Sequence, residues 1–178
     1  MERAQPVRRA RSGAEVTQTD GSIQIRTADE EDAHTLWRVR RKAILHGASQ
    51  YYTPEQIGAW AGRRTPRSYR LPIERARIRV AECADGTVAG FAQLDPETGE
   101  VEAVYVHPAW TRRGIGARLL EELQERARTA GLKRLHLDAS LNAVRFYERA
   151  GYRIEHPILH PLPNGIEIAC VFMTKHLL

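Results

Sequence analysis

Cysteine is scarce in this chain. Cys83 and Cys170 are its only two, too few to define a disulfide framework. They are expected to be unpaired, buried thiols in a reducing compartment, which makes a cytoplasmic location the expectation. No apolar run approaches the roughly 20 residues that a membrane-spanning helix needs, so no membrane partner is expected. The first 20 residues lack the apolar stretch of a secretory signal. Their arginines are interrupted by Glu2, Glu15 and Asp20 with no amphipathic period, which argues against a transit segment. Residues 1–20 are therefore expected to be a mobile tail and residues 21–178 one domain. No zinc-finger pattern or aromatic-basic motif accompanies the modest net charge of +5, which excludes sequence-specific nucleic-acid recognition as the leading reading. The charge suits an anionic small partner instead.

What remains is an ordinary globular composition, 42% apolar and 28% charged, long enough for one hydrophobic core. Ile23 and Ile25 alternate with polar neighbours as a first strand does. A helix follows, with acids at Asp29 to Asp32 and apolar Leu36, Val39 and Ile44. Thr53-Pro54 caps a short helix carrying Ile57 and Trp60. The polar segment 62–77, interrupted by Leu71-Pro72-Ile73, reads as loop. Strands at 77–83 and 87–94 are joined at Asp85-Gly86, a hairpin signal. In the next strand, 101–106, strict alternation puts Val101, Ala103 and Tyr105 on one face and Glu102, Val104 and Val106 on the other. After a long helix come a strand at 133–138, a helix at 141–150 and strands near 152–155 and 166–174. Several antiparallel strands thus precede one strand-helix-strand crossover.

The densest information lies in VYVHPAWTRRGIG, residues 104–116. An apolar strand runs out at a proline, two arginines follow, and a glycine-spaced turn opens a helix. Ile115, Leu119, Leu123 and Ala127 give that helix an apolar stripe, and Gly131 is placed to end it. Backbone amides at a helix start, beside positive side chains, build a site for phosphate. Gly114 and Gly116 bring no Cβ to obstruct a bulky anion, and Arg112 and Arg113 supply charge. A nucleotidase phosphate loop is excluded because no lysine and hydroxyl follow the glycines. A dinucleotide fingerprint fails at its third glycine, where Leu119 stands.

Taken with ASLNAVRFYERAGY downstream, this segment resembles the GNAT superfamily of acyl-CoA-dependent N-acetyltransferases, over about residues 22–174. The resemblance implies one α/β domain: a mixed, mostly antiparallel central sheet flanked by helices. It also implies acetyl-CoA as co-substrate, without a metal. By similarity, Val104, Tyr105 and Val106 would hold the pantetheine arm. Arg112, Arg113, Gly114, Ile115, Gly116 and Ala117 would cradle the pyrophosphate, and Tyr147 would protonate the departing thiolate. The sequence departs from the family pattern at Thr111, where glutamine or arginine is usual. It departs again at Ser140, which aligns with a frequent asparagine; Ser140 is kept as a cofactor contact, while Asn142 is out of register.

For the base, Glu102 is the choice, relaying an ammonium proton through water, with His107, His136 and Asp138 as further candidates. His156 and His160 have the spacing of helical metal ligands, but Pro157 and Pro161 speak against a helix there. The segment HPILHPLPNG is expected to be a loop beside the acceptor cleft or an ordinary surface loop. Tyr51, Tyr52, Trp60 and the basic 63–70 segment fall where acceptor sites form in this superfamily. The acceptor is expected to be the primary amine of a small molecule. A peptide or protein N-terminus is the alternative, and a non-catalytic acyl-CoA-binding module the reading of a different class. The chain would act as a monomer or homodimer.

Overall fold

The computed structural model describes residues 23–177; the tail expected at 1–20 lies outside the described residues. Seven strands form one sheet: β1 (Gln24–Thr27), β2 (Ile78–Glu82), β3 (Val88–Asp95), β4 (Glu100–Val106), β5 (Arg134–Ser140), β6 (Arg153–Pro161) and β7 (Glu167–His176). Their order is β1-β2-β3-β4-β5-β7-β6. Every pairing is antiparallel except β4 with β5, which is parallel. The helices are α1 (Ala33–Gly47), α2 (Pro54–Gly62), α3 (Arg70–Glu74), α4 (Ile115–Thr129) and α5 (Val144–Arg149). This is the mixed, mostly antiparallel α/β domain expected.

Helices cover both faces of the sheet. On one, Leu119, Leu120, Leu123 and Ala127 of α4 pack on Ala92, Val101, Leu135 and Leu137. On the other, Leu36 and Val39 of α1 and Ile73 of α3 pack on Ile78, Val80 and Phe91. Strand β3 is buried from Val88 to Leu94 because it is covered on both sides. Thr53 caps α2 as expected: its hydroxyl accepts from the Gln56 amide, and the Gln56 side chain accepts in return from the Thr53 amide. Gly86 closes the β2–β3 hairpin at φ 82°. No helix among the described residues is long and apolar enough to cross a membrane.

Three local expectations are corrected. The 62–77 segment is not loop throughout: a 3-10 turn at Pro66–Tyr69 leads into α3. Thr65-Pro66 opens it as Thr53-Pro54 opens α2, with Ser68 returning the cap to the Thr65 amide. The HPILHP stretch is not loop either, since β6 runs through it to Pro161. Because β6 is the sheet's edge strand, Pro157 and Pro161 can lack an N–H without breaking an internal ladder. Third, alternation along β4 is interrupted. Gln93 pairs with Ala103 but Leu94 pairs with Val101, so Glu102 is the extra residue of a bulge. Val101 therefore shares the α4 face with Val104 and Val106, while Ala103 and Tyr105 face α1.

Candidate active site

Strands β4 and β5 pair at one position, Glu100 with His136. Beyond it they diverge, and the β4 backbone toward Val106 has no strand partner on that side. A groove of about 530 Å³ lies along this opening. An extended ligand carrying amides can add to such an edge as a strand would.

The far end of the groove is the glycine turn. Gly114 is the residue before α4 and sits at φ 75°, with no side-chain cap on the helix. The first intrahelical bond runs from the Arg118 amide to the Gly114 carbonyl at 3.1 Å. The amides of Ile115, Gly116 and Ala117 therefore lack the carbonyl partner that later amides have, and all three residues line the groove. Nothing lies within 4 Å of a Cβ built on Gly114, so an anion can approach. A Cβ on Gly116 would already touch the Phe146 ring at 3.4 Å, which is how closely α4 starts against α5. Arg112 also has a left-handed backbone, φ 61°, so the chain bends sharply just before the helix starts. These features fit a pyrophosphate without rearrangement of the backbone.

Of the residues singled out from the sequence, Val104, Tyr105, Val106, Arg112, Gly114, Ile115, Gly116 and Ala117 all line this groove. Arg113 does not. Its guanidinium stacks on Trp110, 4.7 Å from the ring centre, and braces the turn from outside. Ser140 is also off the groove, on the wall of a second cavity. Asn142 occupies the groove instead, its side-chain amide beside Gly47. Sequence register favoured Ser140 because the turn between β5 and α5 advances the groove-facing position by two residues.

Tyr147 stands behind the groove wall. Its neighbour Phe146 lines the groove, while Tyr147 is 7% exposed and packs edge-on against Phe146 and Tyr152. Burial first, then the Tyr105 and Tyr152 phenols, push its pKa well above the ordinary tyrosine value. The phenol thus keeps its proton at neutral pH.

The second cavity, about 100 Å³, opens beside the bulge in β4. Tyr105 and Trp60 line both it and the groove, so the two meet at these rings. Glu102 lines the cavity and accepts a short hydrogen bond from the Gln93 amide. Glu100 lies beside it. Burial and the Glu102 charge raise the Glu100 pKa above the usual carboxylate value. Asp138 is also here, 3.2 Å from His160 Nδ1. The other base candidates are elsewhere. His107 accepts from the Ala109 amide through Nδ1 on a separate surface beside Lys42, and His136 packs on Phe172. His156 also packs on Phe172, apart from His160. Among the described residues no three His, Cys, Asp or Glu side chains form a metal-ligand group.

Tyr52 holds the cavity wall in place. Its hydroxyl accepts from the Leu141 amide at 2.8 Å and donates to the Ala169 carbonyl at 2.7 Å, tying the α1–α2 corner to β5 and β7. Tyr51 is half exposed and takes no part. Three residues that the sequence reading left unassigned, Arg40, Gln93 and Glu100, complete the cavity together with Tyr69 of the basic 63–70 segment. They come from four separate segments, and no local pattern links them.

Cys170 also lines the cavity, which raises the question of an acyl-cysteine. Burial and the Asp138 charge push its thiol up to about 11, so only about 1 in 10⁴ molecules carries a thiolate at pH 7. Cys83 is buried in the core under α4. Rapid quenching during turnover, followed by mass spectrometry, is expected to find no acylated cysteine; a kinetically competent acyl-Cys170 would contradict this.

Comparison with known proteins agrees with this geometry. The N-acetyltransferase YafP of Escherichia coli (strain K12) is 30% identical over 132 residues, which cover 74% of this chain and 82% of YafP. The spermidine N(1)-acetyltransferase of Thermoplasma acidophilum is 28% identical over 146 residues, covering 75% of this chain and 90% of that enzyme. The crystal structure of the PaiA N-acetyltransferase of T. acidophilum in complex with coenzyme A superposes with a TM-score of 0.74. It shares 25% sequence identity, and the match covers 87% of this chain and 99% of that one. Residues 44–152, from the end of α1 through α5, match the Acetyltransferase (GNAT) family, and the chain belongs to that family.

Proposed function

We propose that this acetyltransferase moves the acetyl group of acetyl-CoA directly to the primary amine of a small molecule. The observation that carries this reading is the junction at Tyr105 and Trp60, where the groove meets the second cavity. Acetyl-CoA would lie with its pyrophosphate on the Ile115–Ala117 amides and its pantetheine arm along Val104 to Val106. The thioester would then reach the junction. The cavity, about 100 Å³, has room for a small acceptor, which suits a small amine better than a polypeptide segment. The T. acidophilum relative, by its name, acetylates spermidine, which supports a small acceptor.

In this mechanism the amine arrives as an ammonium ion and loses a proton to Glu102, through water. Its lone pair then attacks the thioester carbonyl carbon. As the tetrahedral intermediate collapses, the carbon–sulfur bond breaks and the Tyr147 hydroxyl donates to the departing sulfur. The nitrogen, cationic after the attack, gives a second proton to water, so the neutral amide results. The thiolate takes a proton from solvent to leave as free CoA, and Glu102 returns its own proton to water. Backbone amides at the β4 bulge are suited to the oxyanion, because the bulge interrupts the ladder.

A panel of small amines and peptide N-termini, followed through release of free CoA thiol, tests the reading. Turnover of small amines is expected. Turnover confined to peptides would make the acceptor a polypeptide. Acetyl-CoA binding without turnover of any amine would make the chain a binding module.

A further inference from the structure

The second cavity contains two buried polar atoms without partners. Gln93 is 2% exposed. Its amide nitrogen must be the atom facing Glu102, because a carboxylate has only acceptors to offer. The Gln93 carbonyl oxygen is then left without a hydrogen-bond donor, and Tyr69, 1% exposed, has an unpartnered hydroxyl. Both residues line the same cavity. Buried groups of this kind are normally satisfied, so each calls for a partner.

Charge is sorted by layer around them. From the sheet come Glu100 and Glu102 of β4 and Asp138 of β5; from the helical layer come Arg40 of α1 and Arg63 and Arg64 after α2. None of the three arginines makes an ion pair with a carboxylate among the described residues. Arg40, 4% exposed, gives its hydrogens to the Trp60 and Ala61 carbonyls and keeps its charge uncompensated. Arg64 stands over the Tyr69 ring. Asp138 is already engaged: Arg63 can only donate, so His160 accepts through Nε2 and turns its Nδ1 hydrogen to Asp138. The acceptor groups left for a ligand are Glu100, Glu102 and the Gln93 oxygen, enough for the three hydrogens of an ammonium group.

We infer that the acceptor is a zwitterionic amine of the α-amino-acid type. Its ammonium group is held by Gln93, Glu100 and Glu102, and its carboxylate by Arg63, Arg64 and the Tyr69 hydroxyl. This rests on the acetyl-transfer reading above and narrows it. A polyamine brings only positive charge and leaves three guanidinium groups facing a cation. A simple alkylamine leaves the arginines and Tyr69 unpaired. A peptide N-terminus has an uncharged amide where the carboxylate should be. Only a molecule carrying both charges a few bonds apart answers both halves of the cavity.

The test uses the full chain saturated with acetyl-CoA. The proteinogenic L-amino acids, their methyl esters and carboxamides, and spermidine are compared as acceptors by thiol release. At least one free amino acid is expected to exceed its own ester by about 10-fold or more in kcat/KM, the scale of one lost charge-assisted hydrogen bond. Arg64→Met should reduce that preference to within about 3-fold, chiefly by raising KM for the acid. Arg63→Met, at an exposed position, is the second variant if the first does not fold. Esters, carboxamides or spermidine outperforming every free amino acid would overturn the inference and leave acetyl transfer standing. If nothing turns over, acetyl transfer fails, and calorimetry with CoA present decides the site alone. Binding of a free amino acid but not its ester would support it, and no binding would overturn it.

Discussion

Tyr147→Phe is expected to lower turnover by roughly 10²–10⁴-fold, the span of general acid-base catalysis, while acetyl-CoA affinity stays near that of the unaltered chain. The substitution removes one oxygen from a ring packed between Phe146 and Tyr152, so the packing of α5 survives. The chemistry does not. A departing thiolate has a pKa near 8.5, and the Tyr147 phenol is held far above its own usual value of about 10. Full proton transfer before the carbon–sulfur bond breaks would therefore run uphill. The role that fits is a hydrogen bond that strengthens as charge reaches sulfur, the proton of the free thiol coming from solvent once the bond has broken. Such a bond acts in the transition state and not on the bound thioester, so kcat falls and the dissociation constant does not. Single-turnover measurements with a proven acceptor check this. Unchanged chemistry in the folded variant would remove Tyr147 from the mechanism.

Gly114→Asp is expected to weaken acetyl-CoA binding by about 10- to 1000-fold. Gly114 sits at φ 75°, a conformation that aspartate tolerates better than most side chains, and nothing lies within 4 Å of the added Cβ. The variant should fold. Its carboxylate would stand at the mouth of the Ile115–Ala117 amides, satisfying them from within and repelling pyrophosphate. Two unit charges 4 Å apart near a protein surface cost about 4 kcal/mol before salt screening, which sets the upper end of the range. Calorimetric titration at two salt concentrations checks the sign and the origin: the loss should shrink as salt rises. Unchanged affinity in a folded variant would move the pyrophosphate elsewhere.

Local signals were legible in the sequence because their physics is local. A glycine-spaced turn, a helix with a continuous apolar stripe and a glycine after it specify α4 without help from the rest of the chain. Arg112 and the residues from Gly114 to Ala117 on the groove followed from the same few positions, and Val104 to Val106 from the family resemblance. Thr53-Pro54 marked α2 for the same reason. The equivalent signal at Thr65-Pro66 was there to be read, but the arginines and Pro72 around it obscured α3.

What the sequence could not state is whatever depends on a partner strand. Alternation along β4 implies one set of faces until pairing with β3 inserts the bulge at Glu102 and reverses the first of them. Prolines argue against a strand until β6 proves to be an edge, where no inner ladder needs their hydrogens. Ser140 lines the second cavity and Asn142 the groove because the turn between β5 and α5 sets which of them faces each. The chain by itself determined the fold class and the family, and it marked the glycine turn that opens α4. Part of the acceptor cavity was within reach of the sequence, since Trp60, Arg63 and Arg64 of the basic 63–70 segment, Glu102 and Asp138 all line it. Arg40, Gln93 and Glu100 are each unremarkable in their own segments, and they join the site only where the helical layer closes over the opening between β4 and β5.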